Sequence, residues 1–176
     1  LARELGWRVD VRSGGHSWSG SHLHDGGLLI DLAALQAFEI DAESRTAIAE
    51  PGIAGSKLAA ALAERDLFFP TGHCLGPALG GYLTQGGFGW NSRALGPACM
   101  SVTRIEAVTM DGERVVADED ENPELFWAAR GSGPGMPAIV TRFHLALHPR
   151  PQAQIGNAYL FPIDALDELM AWGHEV

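Results

Sequence analysis

Apolar and polar positions change period several times along the chain, and each change marks an element. Residues 7–12, WRVDVR, alternate with the two-residue period of a strand, and the run GGLLIDL at 26–32 predicts a second strand bounded by glycine. Between them lies a polar loop of Gly, Ser and His. FEIDAESRTAIAEPG reads as two short strands about a turn at DAES, closed by Pro51-Gly52. SKLAAALAERD, rich in Ala and Leu, predicts a helix with Ser56 as its N-cap. LFFPTG is a short strand leading into the glycine-dense GHCLGPALGGYLTQGGFGWNSRALGP. At 102–116, VTRIEAVTMDGERVV predicts a β-hairpin in which Asp111-Gly112 supplies the positive φ angles of a two-residue turn. ADEDEN is expected as a solvated loop. NPELFWAARG then predicts a short helix with Asn122 as cap and Pro123 at its first position, and with Phe126 and Trp127 facing the core. AIVTRFHLALHP reads as one long alternating strand.

These elements interleave without repeat, linker or low-complexity tract, so the fold class expected is α+β. The composition changes only after Pro149 and Pro151, which predicts one domain over residues 1–150 and the beginning of another over 151–176. The opening LARELGWRVDV reads as the middle of a helix running into a strand. The closing PIDALDELMAWGHEV stops inside an amphipathic pattern with Leu166, Leu169, Met170 and Trp172 on its apolar side. Both patterns predict further sequence on either side.

The chain has 176 residues, 46% of them hydrophobic, which is one ordinary domain and its core. Lys and Arg total 12 against 22 Asp and Glu, and no basic stripe alternates with aromatics, so nucleic acid is not the expected partner. The longest apolar runs are broken by charge well short of the roughly 20 residues that cross a bilayer. Cys74 and Cys99 are too few for a disulfide scaffold and leave the compartment open, with a slight lean to the cytoplasm.

Of the 22 glycines, eight fall between Gly72 and Gly96. An interior glycine costs roughly 0.5–1 kcal/mol relative to alanine, so regular structure is not the reason for them. They serve turns with positive φ, or a backbone that approaches a ligand with no Cβ in the way. In RSGGHS, glycines follow a strand end where consecutive N–H groups can form an anion-binding nest suited to a pyrophosphate. In GGYLTQGGFG, two glycine pairs flank four spacers, a spacing that lets the segment lie flat on a planar ligand. Neither stretch is a P-loop or a Rossmann G-x-G-x-x-G. His16 alone reads as a hydrogen-bonding surface residue, and Cys74 alone as an inert thiol. His22, His24 and Asp25 in SHLHD raise the thought of zinc, but no third and fourth ligand is evident, and no metal is expected.

Four blocks in order, VRSGGHSWSG (11–20), PTGHCLGPALGGYLTQGGFGWNSRALGPAC (70–99), VTRIEAVTMDGERVVADEDENPELFWAARGSGPG (102–135) and IVTRFHLALHPRP (139–151), give the chain its resemblance. It resembles the flavin-linked oxidases of the vanillyl-alcohol oxidase and p-cresol methylhydroxylase (PCMH) superfamily, in particular the berberine-bridge-enzyme-like branch. The resemblance implies a PCMH-type FAD-binding domain that lacks its N-terminal part here, followed by the start of a substrate domain. It implies FAD bonded through a ring nitrogen of His16 to the 8α-methyl carbon, and in doubly linked members through the sulfur of Cys74 to flavin C6. An imidazole nitrogen and a thiolate are the side-chain nucleophiles suited to such bonds. It further implies cofactor contacts from Arg12, Ser13, Gly14, Gly15, Ser17, Gly80, Gly81, Gly86, Gly87, Gly89, Ile139 and Val140. Tyr82, Gln85 and Trp90 are candidates to face the flavin without a catalytic role.

Two departures from the family pattern stand out. Relatives commonly have Phe-Gly before the strand that here begins MPAIVT, so Pro137 removes an N–H and Ala138 adds a methyl. Met100 stands where an acidic or amide residue is usual. The implied activity is hydride transfer from an alcohol, sugar or similar small-molecule donor to FAD and then to O2, with the catalytic base outside these residues. The alternatives are a non-covalent FAD 2-hydroxy-acid dehydrogenase and a non-catalytic flavin-binding fragment.

Overall fold

Apolar-rich runs over 102–109 and 138–146 make the two longest strands, and their pairing belongs to the main sheet, with the second of them at its centre. The computed structural model describes residues 1–153 and 158–175. In chain order the elements are α1 (Ala2–Leu5), β1 (Val9–Arg12), β2 (Leu28–Asp31), β3 (Phe38–Asp41), β4 (Thr46–Ala49), α2 (Gly55–Ala63), β5 (Leu67–Phe68), α3 (Leu79–Thr84) and α4 (Ser92–Leu95). They continue with β6 (Val102–Thr109), β7 (Arg114–Ala117), α5 (Pro123–Ala129), β8 (Ala138–Ala146), β9 (His148–Pro149) and α6 (Leu166–Glu175). The main sheet is antiparallel in the order β3-β4-β8-β6-β7. β1 and β2 form a separate parallel pair, and β5 pairs with β9.

One face of the main sheet is apolar and buried. Ala47, Ala49, Ile105, Ala107, Phe143 and Leu145 share a core with Leu58 and Leu62 of α2, Phe69, and Phe126 of α5. The outer face carries Glu106, Arg142 and His144, and His144 Nε2 lies 3.1 Å from Glu106 Oε1. One dry and one wet face is the ordinary condition of an antiparallel sheet.

The strand at 138–146 does not alternate throughout. Glu106 pairs with Arg142 but Ala107 pairs with Val140, so Thr141 is an extra residue, and its hydroxyl donates to the Glu106 carbonyl at 3.1 Å. This bulge shifts the phase, which is why Val140 and Phe143 are both buried although three residues apart. The strand also stops at Ala146, and the next two-residue strand joins a different sheet.

Other local expectations are corrected by the structure. Ser56 is not the cap of α2: Ala54 holds that position, and the Ser56 hydroxyl donates to the Leu75 carbonyl at 2.6 Å. The helix also ends earlier than its Ala-rich pattern, at Ala63. The β6–β7 hairpin closes with three residues rather than two. Thr109 N–H donates to the Glu113 carbonyl, Gly112 N–H to that of Thr109, and only Gly112 of the expected pair has a positive φ, 85°. Asp111 pairs instead with Arg3 of the N-terminal helix. The expected solvated loop ADEDEN, by contrast, is found: 118–122 have no regular structure and 119–122 are exposed, and within the loop the Asp118 carboxylate accepts the N–H groups of Asp120 and Glu121 and two bonds from Arg104. Asn122 precedes α5 in a left-handed conformation, but its side chain donates to the Val116 carbonyl rather than capping the helix. Phe126 is buried as expected, whereas Trp127 is 73% exposed.

Part of the expected domain change, 154–157, lies outside the described residues. Beyond it, the amphipathic pattern is indeed a helix, α6, in which no residue is buried; Leu166, Met170 and Trp172 are exposed and Leu169 is half-buried.

Candidate functional site

A cleft of about 520 Å³ is lined by both β1 of the parallel pair and the start of β8 of the main sheet, and three stretches of chain build its walls. The first is the end of β1. The Arg12 guanidinium donates to Asp31, its partner across the parallel pair, and this bond, with the N–H of Ala33, holds the Asp31 carboxyl below the usual carboxylate range. The strand ends are thereby fixed where the loop 13–17 begins. Gly14 packs against Ala78 so tightly that a Cβ would stand 2.8 Å from the Ala78 nitrogen. Gly15 turns left-handed, φ 63°. Among the described residues, the N–H groups of Gly14, Gly15 and His16 donate to no protein acceptor. They are exposed at the cleft, and a left-handed residue in such a run makes consecutive N–H groups converge on an anion.

The second stretch is the loop 71–78 with α3. Its far end is pinned to α2 through Gly55 N–H donating to the Pro77 carbonyl at 3.0 Å. α3 is fastened to the first stretch, because Ser13 Oγ accepts the Gly81 N–H at 3.2 Å. Gly80 has no room for a side chain: its Cβ would lie 2.7 Å from Ser13 Oγ and 2.9 Å from Pro51 Cβ. Gly81, by contrast, faces open space at the cleft wall. The third stretch is the start of β8, with Met136, Ala138, Ile139 and Val140, joined by Met110 at the hairpin tip.

Among the residues singled out in the sequence, Arg12, Ser13, Gly14, Gly15, His16, Ser17, Gly80, Gly81, Gly87, Ile139 and Val140 all line this cleft. Gly86, Gly89 and Cys74 do not line it. Gly86 is buried behind the wall with φ 101°, and a Cβ on Gly89 would stand 2.5 Å from the Thr71 carbonyl. Cys74 is exposed on the loop 71–78, two residues from Gly76, whose Cβ would lie 3.5 Å from His16 Nε2. Residues 58 positions apart in sequence, His16 and Cys74, are thus carried by loops that touch.

The glycines therefore serve chain-on-chain contact more than the sequence suggested. Gly14, Gly80, Gly87 and Gly89 each clear a neighbouring part of the protein, and Gly81 alone of the central pairs opens into free space. GGYLTQGGFG does not lie flat, because its first half is the helix α3 and its second half turns through Gly86 and Gly87, both with positive φ. Tyr82 and Gln85 line the cleft; Trp90 does not, and stacks on His73 with ring centres 4.0 Å apart. Pro137 loses no ladder bond, since β8 begins one residue later, and Ala138 is a buried core residue that borders the cleft. Met100 is exposed on the turn Ala98–Ser101, away from the cleft. His24 Nδ1 is bound to the buried Asp10 at 2.9 Å, and His22 faces the cleft. Among the described residues no three His, Cys, Asp or Glu side chains gather as metal ligands.

The sequence reading missed Met110 and Met136. Their meeting follows from register: Thr109 pairs with Ala138, so the hairpin tip projects beside the residues that precede β8. No local pattern announces a contact set by strand register.

The donor set and the shape fit a dinucleotide with an extended ring. Free N–H groups suit a diphosphate, while Met110, Met136, Ile139, Val140 and Phe88 present apolar surface to a planar group. Tyr82 offers neither a base nor a free donor, for its hydroxyl donates to the Pro70 carbonyl at 2.7 Å and burial pushes its pKa up to about 12.

Comparison with known proteins agrees with this geometry. The family described as FAD binding domain matches residues 1–118. The FAD-linked oxidoreductase nodO of Hypoxylon pulicicidum is 42% identical over 176 residues, all of this chain and 39% of that protein. Xylooligosaccharide oxidase of Thermothelomyces thermophilus is 37% identical over 81% of this chain and 29% of its own length. Among solved structures, 6-hydroxy-D-nicotine oxidase of Arthrobacter nicotinovorans superposes with TM-score 0.79 and 32% identity over 84% of this chain and 32% of that one. The carbohydrate oxidase of Microdochium nivale gives TM-score 0.80 and 32% identity over 85% of this chain and 32% of that one. The chain thus spans well under half the length of these relatives. With a nest-like loop, a glycine-built wall and this pattern of similarity in hand, the chain belongs to the FAD-linked oxidoreductases with a PCMH-type FAD-binding domain.

Proposed function

We propose that this chain is the flavin-holding part of an oxidase that removes a hydride from an alcohol, sugar or similar small-molecule donor, and that FAD is bonded to His16 and Cys74. The observation that carries the reading is the close approach of the Cys74 loop to His16, which lines the cleft. The N–H groups of Gly14, Gly15 and His16 take the diphosphate, and Gly81 leaves room beside it. Each attachment replaces a C–H of the flavin by a C–N or C–S bond and releases two electrons and two protons, which O2 takes up as hydrogen peroxide. When bound, the flavin supplies hydride acceptance from the donor carbon and passes the electrons to O2.

The protein's share is orientation and exclusion. Arg12 with Asp31 fixes the end of β1, and Ser13 fastens the His16 loop to α3. Two carbohydrate oxidases among the similar proteins support a hydroxyl donor. With the Tyr82 hydroxyl committed to Pro70, the base that accepts the donor's O–H proton is assigned to a part of the protein outside these residues.

The test uses the full-length gene product. Mixed anaerobically with a panel of mono- and oligosaccharides and primary alcohols, its flavin absorbance should bleach with at least one donor, and air should restore it with release of one hydrogen peroxide per flavin. Bleaching that only an artificial acceptor reverses would replace the oxidase reading with a dehydrogenase.

A further inference from the structure

Cys74 sits on a loop whose exposed middle, His73 to Gly76, has no regular structure of its own, so something must fix where the thiol stands relative to His16. The far root is held by α2, through Gly55 N–H to the Pro77 carbonyl and the Ser56 hydroxyl to that of Leu75. At the near root the His73 ring packs on Trp90 with centres 4.0 Å apart, and the chain just before it is bonded by a side chain of the cleft wall. The Tyr82 hydroxyl donates to the Pro70 carbonyl at 2.7 Å. The same ring is wedged between two glycines: a Cβ on Gly72 would stand 3.2 Å from Tyr82 Cε2, and one on Gly87 would stand 2.8 Å from Cε1. Gly72 lies two residues before Cys74, and Gly87 belongs to the cleft wall. Only side-chain-free positions could admit a tyrosine between these two backbones.

We propose that Tyr82 is a positioning residue that locks the Cys74 loop to the cleft wall and so sets the thiol within reach of the flavin. The inference rests on the reading that Cys74 bonds the cofactor. The burial of Tyr82, which raises the pKa of its phenol, means that the latch does not titrate away at ordinary pH. Phenylalanine at this position keeps the ring and its fit between the glycines and removes only the bond to Pro70.

The experiment compares the full-length wild type with Tyr82→Phe by peptide mapping and amide hydrogen exchange. Loss of one net hydrogen bond should lower the fraction of flavin linked at Cys74, and speed exchange of the amides over 72–76, each by about fivefold. Linkage at His16 should be unchanged, and the melting temperature should fall by no more than about 4 °C. Equal exchange and equal Cys74 linkage in the two proteins would overturn the proposal. A wild type with no flavin on Cys74 would overturn the underlying reading of that cysteine, and the exchange comparison would still decide whether Tyr82 latches the loop.

Discussion

Gly76 stands against His16, near enough that a Cβ on the glycine would lie 3.5 Å from the imidazole Nε2. That contact joins the loop after β1 to the loop before α3, and it makes a single site of two motifs far apart in sequence. It also limits what Gly76 can become. Its φ is not in the left-handed region, and 3.5 Å is ordinary contact, so Gly76→Ala should keep wild-type flavin attachment. Gly76→Leu should push into the ring and reduce linkage at His16, read by mass spectrometry of the flavin peptides.

The central glycine pair should separate folding from cofactor binding. In Gly80→Ala the methyl meets Ser13 and Pro51 inside 3.0 Å, and overpacking of this kind costs about 1–3 kcal/mol. In Gly81→Ala nothing resists the methyl, so stability should hold or rise slightly, while the flavin-to-protein absorbance ratio falls because the cleft wall is thicker. Equal flavin loss with equal destabilisation in both variants would show that the two positions are not distinct.

His148 links stability to pH. It is partly buried beside Ser101, whose hydroxyl lies 3.0 Å from Nε2, and burial lowers its pKa from the ordinary 6.5. A depressed histidine pKa means that the unfolded chain binds the proton first, so the stabilisation is complete above pH 6.5 and is lost as pH falls below it. The melting temperature should therefore drop as the pH falls below about 6.5, and His148→Gln should flatten that part of the profile. An unchanged slope would remove His148 from the explanation.

The core makes its own demand. Phe143 is fully buried in β8, between β4 and β6. Phe143→Ala should cost about 3–5 kcal/mol, measured by urea unfolding. A loss below about 1 kcal/mol would mean that the sheet does not depend on this packing.

Much of this architecture is legible in the sequence because it is local. The two-residue period over 102–116 gives the hairpin strands, and Pro123 marks the start of α5. The cleft loop is legible for the same reason, since RSGGHS follows a clear strand end. What escapes is set by partners distant in sequence. The bulge at Thr141 exists only against Glu106, Ser56 leaves its expected cap to bind Leu75, and Met110 reaches the cleft through the register of β6 with β8. The glycines teach the same lesson. Their clustering is visible in the sequence, but only the fold reveals that Gly14 also clears Ala78 and Gly80 also clears Ser13.

The most direct measurement is of the bond between protein and flavin. The full-length protein, unfolded in acid and freed of small molecules, should remain yellow, and protease digestion should yield flavin on two peptides, one containing His16 and one containing Cys74. His16→Ala should retain only the second, and the variant lacking both side chains should retain none. Colour that washes away completely from the unfolded wild type would contradict the reading.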